Sequence, residues 1–300
     1  MVTPKDTKKK IRYIVVTPAK NEEKNLPVVI ESLQSSTLKP ALWVIVDDNS
    51  TDNTSDIIRE KSLKYNNIVY VKYPYPSNDY DLFNHYSEVC KYGFLYAINL
   101  ARVKGIRWDF IMLLDADTVV PENYVEDIIK KMLEYNTHIA SGDVCTKNKK
   151  GEILCANLKN PLPSGTGRMW SRRAFYYTGG YPITVAPDTI SSLRALKLGL
   201  KVMRFNELRV YQLRDTSSRL GSVVKYLYYG KRDGVLLKPL LLAFIYSGYL
   251  FVASKNPFAP MLYLFGYLKQ ILKGNNSKFY YLREYWSARL SRILGMIKGG

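Results

Sequence analysis

The sequence predicts an α/β fold in which a mostly parallel sheet is flanked by helices. Short apolar runs alternate with amphipathic stretches through the first half of the chain, as expected when strands and helices follow one another. The intervals between the runs are long enough for a helical crossover between parallel strands. With 300 residues, 47% of them hydrophobic, the chain can build one large domain with an appendage.

The predicted elements follow in order along the chain. Four apolar runs are predicted as strands: Ile11–Val16, Trp43–Val46, Ile68–Tyr73 and Phe110–Leu114. Four amphipathic stretches are predicted as helices: Asn25–Ser35, Thr54–Tyr65, Glu88–Val103 and Pro121–Tyr135, the last with Pro121 near its first turn. From Asp143 to Arg214 the pattern loosens into loops, with one helix predicted at Thr189–Leu198. Tyr73–Tyr86 is predicted as a long loop, either functional or a plain surface excursion.

The segment from Thr216 to Gly300 differs from the rest of the chain in charge and hydropathy. It holds 13 Lys and Arg against two acidic residues, a net charge of +11 out of +18 for the whole chain. Leu236–Ser254 and Pro257–Leu272 are apolar, and Tyr280–Met296 mixes Arg with Tyr, Trp and Leu, as membrane-surface helices do. We expect an interfacial or re-entrant segment that associates with a membrane. A marginal transmembrane hairpin and two buried helices of a soluble subdomain are the alternatives.

Two features bear on cellular location. Met1–Lys10 is polar and lysine-rich, and no apolar stretch behind it is long enough for a signal peptide. Cys90, Cys145 and Cys155 are unevenly spaced and form no metal pattern, so we expect no disulfide framework and a reducing compartment. Together with the basic tail, these features predict a protein at the cytoplasmic face of the cell membrane, peripheral or re-entrant.

Acidic residues follow several of the predicted strands, and the strongest such motif is Asp115-Ala116-Asp117. The two carboxylates come straight after an apolar run, so both can reach one divalent cation where the strand turns into a loop. Mg and Mn prefer oxygen ligands of this kind and also bind phosphate oxygens. The alternative interpretation is an Asp-rich turn that precedes the next helix.

Three further clusters are expected at the same edge of the sheet, where ligands of open parallel sheets bind. Asp47 and Asp48 follow the second strand and can accept hydrogen bonds from a ribose hydroxyl or a base N–H. Thr17–Glu23 follows the first strand and contains no Gly-rich loop, which argues against an NTPase or a dehydrogenase. Asp188 opens the helix after Pro187, where it is either a helix cap or a general base.

The ordered set of clusters resembles the inverting glycosyltransferases of family 2, which have the GT-A fold. The matching motifs are Pro18–Glu23, Val46–Ser50, Asp115–Asp117 and Asp188, with Ala97–Leu100 similar to the helix that precedes the family's Asp-x-Asp motif. The resemblance covers roughly Ile11 to Arg219. It implies a nucleotide-diphospho-sugar donor and a divalent cation, Mg or Mn.

The resemblance also implies a role for individual residues. Donor contacts fall on Thr17, Pro18, Ala19, Asn21, Glu22, Asp47, Asp48, Asp115, Arg214 and Arg219. Asp117 would bind the metal, and Asp115 would either bind the metal too or contact the ribose. The cation would stabilise the departing diphosphate, and Asp188 would deprotonate the acceptor hydroxyl, which gives inversion in a single displacement. If the acceptor were a lipid phosphate, no base would be needed and Asp188 could be a mere cap.

This chain departs from the family pattern in two places. Pro187 stands where the family commonly has Glu before the catalytic Asp, and Val210–Arg214 lacks the His that often follows the last strand. Arg214 and Arg219 are expected to hold the diphosphate instead. His85 and His138, the two histidines of the chain, are expected to be ordinary polar residues.

These observations predict a metal-dependent inverting glycosyltransferase, of the hexosyltransferase class, that acts on a lipid-linked or other membrane-associated acceptor. A catalytic domain is expected over 1–219, with a nucleotide-binding half to about 120, and a basic helical segment over 220–300. The alternatives are a nucleotidyltransferase with paired aspartates and a nucleic-acid-binding module that uses the basic tail. The acidic clusters argue against a nucleic-acid partner, because they would repel a polyanion.

Overall fold

The computed structural model describes residues 11–75, 84–147, 153–155, 162–214, 221–254 and 256–273, together with Leu282 and Trp286. The strands are β1 Tyr13–Ala19, β2 Leu42–Asp47, β3 Ile68–Lys72, β4 Phe110–Leu113, β5 Thr118–Val119, β6 Ile139–Lys147, β7 Ile153–Cys155, β8 Arg168–Ser171 and β9 Val202–Gln212. The helices are α1 Leu26–Gln34, α2 Thr54–Lys64, α3 His85–Val103, α4 Tyr124–Glu134, α5 Arg172–Tyr177, α6 Pro187–Lys197, α7 Ser222–Val235, α8 Leu240–Ala253 and α9 Ala259–Leu272.

Over the described residues, the strands form one sheet with a parallel half and a mixed half. The order is β3-β2-β1-β4-β8-β6-β9-β5, with β7 on β6. The strands β3, β2, β1 and β4 are parallel neighbours, whereas β8 runs antiparallel to both β4 and β6. The prediction of a mostly parallel sheet is therefore right for the first half, whereas the second half is mixed: β6 and β9 are parallel neighbours, and β5, β7 and β8 pair antiparallel.

Helices cover both faces of the parallel half, so its strands are buried on both sides. In β1, Tyr13 and Val15 face the core beneath α1 and α4, while Ile14 and Val16 face the core beneath α3. Burial on both faces explains why these strands read as continuous apolar runs. The helix α3 lies very close to the sheet at Gly93, where a Cβ would come within 2.6 Å of Val16 Cγ1.

The elements of the first half confirm the predicted order, with small shifts at their ends. The helix α4 begins at Tyr124, three residues later than predicted, and Pro121 lies just before it. The second half contains more regular structure than the sequence pattern indicated. The expectation of loops over Asp143–Arg214 is wrong for β9, which is 11 residues long and pairs with β6 through an irregularity between Gly142 and Asp143.

A disulfide joins Cys145 to Cys155, against the expectation of free thiols. The two cysteines face each other directly on the antiparallel strands β6 and β7, a position that brings their side chains together across the strand pair. Cys90 is a free, buried thiol in α3. The spacing of ten residues between the bonded cysteines is compatible with a hairpin, and the sequence pattern did not reveal that hairpin.

The C-terminal helices pack tightly on one another and also on the catalytic fold. Leu236 and Leu282 lie in one buried cluster with Ile190 and Leu193 of α6. Among the described residues, no helix combines the length and the apolar character needed to cross a bilayer. Most of Tyr280–Met296, predicted as an amphipathic surface helix, lies outside the described residues.

The helices α7 and α9 cross where glycines let their backbones meet. A Cβ at Gly230 would clash with the carbonyl oxygen of Tyr263, and one at Gly266 would clash with that of Leu227. Backbone atoms cannot give way as a flexible side chain does, so these positions depend on glycine.

We therefore expect Gly230→Ala to lower the free energy of unfolding by about 1–3 kcal/mol, the usual cost of overpacking. Chemical or thermal unfolding would measure the change. Gly248→Ala in α8 is the matched control, because a Cβ there meets no atom within 4 Å. The control should be neutral or stabilising by up to about 1 kcal/mol, since alanine favours helices over glycine. Equal effects of the two substitutions would contradict the close crossing.

Candidate active site

A cavity of about 280 Å³ opens at the carboxyl ends of β1, β2 and β4. The predicted site residues that line it are Pro18, Ala19, Glu22, Asp48, Asp115, Asp117, Asp188 and Arg214. They come from five separate stretches of sequence. The parallel register brings them together, because Ala19 pairs with Asp47 and Val16 pairs with Leu113 at the ends of their strands.

One end of the cavity is built around Asp48, which follows β2. The Asp48 carboxylate lies 2.8 Å and 2.9 Å from Nε2 of His85 and 3.3 Å from the ammonium of Lys20. The expectation that His85 is an ordinary polar residue is wrong, because α3 begins at His85 and points it into the cavity. His138 lies elsewhere and contacts Ser171.

Thr17 and Asp47 lie behind this end of the cavity and do not line it. Both are fully buried; Thr17 Oγ1 accepts a hydrogen bond from the Trp43 indole at 2.9 Å. Asp47 accepts one from the Ser55 hydroxyl at 2.6 Å. The side-chain oxygens of both residues accept hydrogen bonds inside the fold, and their expected contacts with a donor stay a prediction.

Asn21 also lies outside the cavity lining. Its backbone has a φ of 55°, a left-handed conformation that asparagine tolerates better than most residues. Its side-chain oxygen accepts the N–H of Thr51 at 2.8 Å, which ties the loop after β1 to the loop after β2. Asn21 thus fixes the position of its neighbour Glu22 rather than contacting a ligand in the cavity.

The Asp115–Asp117 pair occupies the middle of the cavity. The Tyr86 hydroxyl donates to Asp115 Oδ1 at 2.5 Å, and Arg214 Nε donates to Asp117 Oδ2 at 2.9 Å. The same guanidinium contacts Glu22, so Arg214 bridges two buried carboxylates. Arg219, expected beside Arg214, lies outside the described residues.

The electrostatics of this pair favour a bound cation. Burial, and then the negative charge of Asp117, raise the pKa of Asp115 to about 7. A divalent cation between the two carboxylates would remove that penalty. Within the described part of the chain, no group of three or more His, Cys, Asp or Glu residues forms a complete metal cage. Two carboxylates nevertheless fit Mg or Mn, which complete their shells with water and substrate phosphates.

Asp188 lies at the far wall of the cavity, in the first turn of α6. Ala186 is the N-cap of that helix, and no side chain caps it, so the interpretation of Asp188 as the cap is not supported. Its Oδ1 is buried and makes no hydrogen bond with the residues that the structure describes. Gly165 approaches so closely that a Cβ there would lie 2.7 Å from Asp188 Oδ2.

Arg168 holds the backbone of Asp188 in place. This fully buried arginine donates from Nη2 to the Asp188 carbonyl oxygen at 3.0 Å and to the hydroxyls of Ser191 and Ser192. Burial raises the pKa of Asp188 above its ordinary value, and the positive charge of Arg168 partly offsets that rise. A carboxylate with a raised pKa and a free oxygen is suited to accept a proton.

Comparison with known proteins identifies the family. Residues 14–194, more than half of the chain, match the family described as Glycosyl transferase family 2. The chain belongs to glycosyl transferase family 2. It is therefore a glycosyltransferase, and the nucleotidyltransferase and nucleic-acid-binding alternatives are set aside.

Individual relatives agree with this family. The chain is 30% identical to 4,4'-diaponeurosporenoate glycosyltransferase of Staphylococcus haemolyticus over 39% of this chain and 27% of the relative. It is 26% identical to glycosyltransferase GlyA of Streptococcus pneumoniae over 46% of this chain and 17% of the relative. The chain thus spans well under half of the length of these two proteins.

A solved structure supports the GT-A-like fold of this glycosyltransferase. S. aureus TarS 1-349 in complex with UDP-GlcNAc superposes with a TM-score of 0.52 and 15% identity. The match covers 87% of this chain and 72% of that chain. At such low identity the likeness concerns the fold alone.

The cavity of this glycosyltransferase also contains residues that the sequence reasoning missed: Lys20, His85, Tyr86, Val89, Ala116, Gly165, Gln212 and Tyr228. His85 and Tyr86 lie at the end of the predicted long loop, so that loop was the available signal. Gln212 lies at the end of β9, a strand that the sequence pattern did not reveal. Tyr228 comes from α7, in the segment that was predicted to lie outside the catalytic domain.

Proposed function

We propose that this glycosyltransferase moves a sugar, with inversion, from a nucleotide-diphospho-sugar to a hydroxyl of a lipid-linked or other membrane-associated acceptor. The observation that supports this most is that one cavity gathers carboxylates in the order of the strands along the sheet edge: Asp48 after β2, Asp115 and Asp117 after β4, and Asp188 against Arg168 of β8. Such an order matches a donor with a nucleoside, a diphosphate and a sugar. The UDP-GlcNAc complex of TarS, a protein of similar fold, is in keeping with a donor of this class.

The nucleoside end is assigned to the Asp48 region. Asp48 can accept hydrogen bonds from a base N–H or a ribose hydroxyl, and Lys20 and His85 hold its carboxylate in place. Pro18 and Ala19 supply the apolar wall of this end. A mostly apolar pocket with a few fixed polar groups is typical of small-molecule sites.

The diphosphate is assigned to the middle of the cavity. Asp115 and Asp117 would hold Mg or Mn, which supplies positive charge to stabilise the departing diphosphate. Arg214 is the protein's own cation at this point, since it already lies against Asp117 and Glu22. Its guanidinium can turn toward phosphate oxygens, for which arginine offers paired donors.

The transfer itself is assigned to Asp188. Its carboxylate takes the proton of the acceptor hydroxyl while the hydroxyl oxygen forms a bond to the anomeric carbon. The bond from that carbon to the diphosphate breaks on the opposite side, and its electron pair leaves with the diphosphate. One displacement of this kind inverts the anomeric centre.

The C-terminal helices are assigned to a membrane surface rich in anionic lipid, at its cytoplasmic face. Large apolar side chains are exposed on α8 and α9: Leu240, Leu241, Phe244, Ile245, Tyr249, Phe251, Val252, Met261, Phe265, Leu268 and Leu272. The wider segment from Thr216 to Gly300 bears a net charge of +11, although α8 and α9 themselves contain only Lys269. Apolar burial and attraction to anionic headgroups together drive interfacial binding.

We expect Asp117→Asn to lower sugar transfer on the order of 100-fold or more, because the diphosphate would lose its cation. Chelation with EDTA should have the same effect on the wild type. Hydrolysis of a panel of nucleotide-diphospho-sugars, with water as acceptor, measures both. Asp56→Asn is the matched control, since Asp56 is exposed on α2, outside the cavity, and forms a surface ion pair with Arg59. Full activity in EDTA would remove the metal from the mechanism.

We expect Asp188→Asn to lower turnover roughly 10²–10⁴-fold, the usual contribution of a general base, with donor affinity unchanged. In the wild type the rate should fall as the pH falls, because the base must be ionised. The midpoint should lie above 3.8, the ordinary value from which burial raises the pKa of Asp188. Unchanged turnover would point to an already ionised acceptor such as a phosphate, and lost stability would make Asp188 structural.

We expect Val252→Asp to weaken binding to vesicles that contain phosphatidylglycerol by about 10-fold, because it removes an apolar contact and adds repulsion. Leu63→Asp on α2 is the control, since Leu63 is 87% exposed and Val252 is 86% exposed. Co-sedimentation at low and high salt measures the binding, which salt should also weaken. Equal binding of both variants and the wild type would refute the assignment of the α8–α9 surface to a membrane.

A further inference from the structure

A second cavity, of about 270 Å³, lies directly beside the first. The two cavities share three lining residues, Tyr86, Asp188 and Tyr228. Asp188 therefore stands in the wall between them. The second cavity is closed by the start of α3, by the segment Thr184–Thr189 and by α7, which contributes Tyr228 and Arg232.

The position of this cavity suits a second substrate. A general base must reach the nucleophile of the acceptor while the donor sugar is in place on the other side. Asp188 meets this requirement because it faces both cavities. Tyr228 ties α7 to the segment before α6, because its hydroxyl donates to the carbonyl oxygen of Val185 at 3.1 Å.

The positive charge in the second cavity comes from Arg232. Its Nε and Nη2 donate to Asp233 Oδ1 at 3.2 Å and 3.1 Å, and its guanidinium lies 5.2 Å from the ring of Tyr229. The Arg232 side chain remains 37% exposed, and no hydrogen bond from its Nη1 is seen among the described residues. The guanidinium is thus held in place on one side and open to a ligand on the other.

Among the described residues, Asp233 is the one carboxylate that bonds to Arg232. Asp233 is buried and also accepts from Lys238 at 2.9 Å and from the Tyr263 hydroxyl at 2.8 Å. One carboxylate therefore serves two cations. A ligand anion in the cavity would balance the second positive charge, and a guanidinium binds phosphate well.

The geometry points to the second cavity as the acceptor subsite, with Arg232 as the contact for a phosphate on the acceptor. This inference rests on the proposed function and names the acceptor class: a compound with a hydroxyl and a phosphate. The hydroxyl faces Asp188 and the phosphate faces Arg232. The reverse orientation would place a phosphate against a carboxylate, where like charges repel.

The test uses the full chain with UDP and Mn²⁺ present at saturating concentration, so that the donor cavity is filled. Calorimetric titration then compares inositol 1-phosphate with inositol, two probes that differ only in the phosphate. Vesicles of phosphatidylcholine with phosphatidylinositol present the same headgroup on a lipid. Failure of UDP itself to bind would overturn the proposed function, and that outcome is distinct from failure of the phosphate probe.

Inositol 1-phosphate should bind the wild type and inositol should not. Arg232→Gln should weaken the binding by about 10- to 100-fold, the contribution of a charge-assisted contact, without changing the affinity for UDP. Arg232→Lys keeps a cation for Asp233 and should retain most of the binding. Lys225→Gln is the matched control, because it removes one positive charge from the same helix, beside the same Tyr229 ring and outside both cavities.

An effect of Arg232→Gln on the soluble probe supports a soluble phosphate acceptor, and an effect on the phosphatidylinositol vesicles alone supports a lipid headgroup. Either result supports the phosphate subsite. The inference is overturned if Arg232→Gln matches the wild type in both arms, if Lys225→Gln loses as much binding, or if inositol binds as well as its phosphate. Thermal unfolding of each variant confirms that a loss of binding is not a loss of fold.

Discussion

Compensation of buried negative charge is the constraint on which the catalytic cavity depends. The parallel strands deliver carboxylates to one edge of the sheet, where they would repel one another. Two of them are held by partners from other parts of the chain: Asp48 by Lys20 and His85, and Asp117 by Arg214. These partners arrive from the loop after β1, from the start of α3 and from the segment after β9.

The same constraint explains how the site can respond to a donor. Among the described residues, Arg214 bonds to both Asp117 and Glu22 and so neutralises part of their charge. If a divalent cation were held by Asp115 and Asp117, it would take over that role, and the guanidinium would become available to a diphosphate.

The C-terminal helices are part of the catalytic architecture as well as the source of the basic charge. Tyr228 lines the first cavity and Arg232 the second, while Leu236 packs on α6 close to Asp188. A boundary at residue 219 therefore divides elements that share one site. The helix α7 in turn packs tightly on α9, so the C-terminal helices are joined to the cavity wall.

The sequence by itself determined the first half of the fold and the carboxylates of the site. Continuous apolar runs such as Tyr13–Val16 specify doubly buried parallel strands, and acidic residues directly after strands specify the ligand edge, because both signals are local in the chain. Only the tertiary structure decided what meets those carboxylates. His85, Arg168 and Tyr228 reach Asp48, Asp188 and the cavity wall from distant elements, and the Cys145–Cys155 bond depends on the pairing of β6 with β7. Contacts between residues far apart in the sequence leave no local pattern. Which polar residue meets which carboxylate is decided only when the strands and helices pack together.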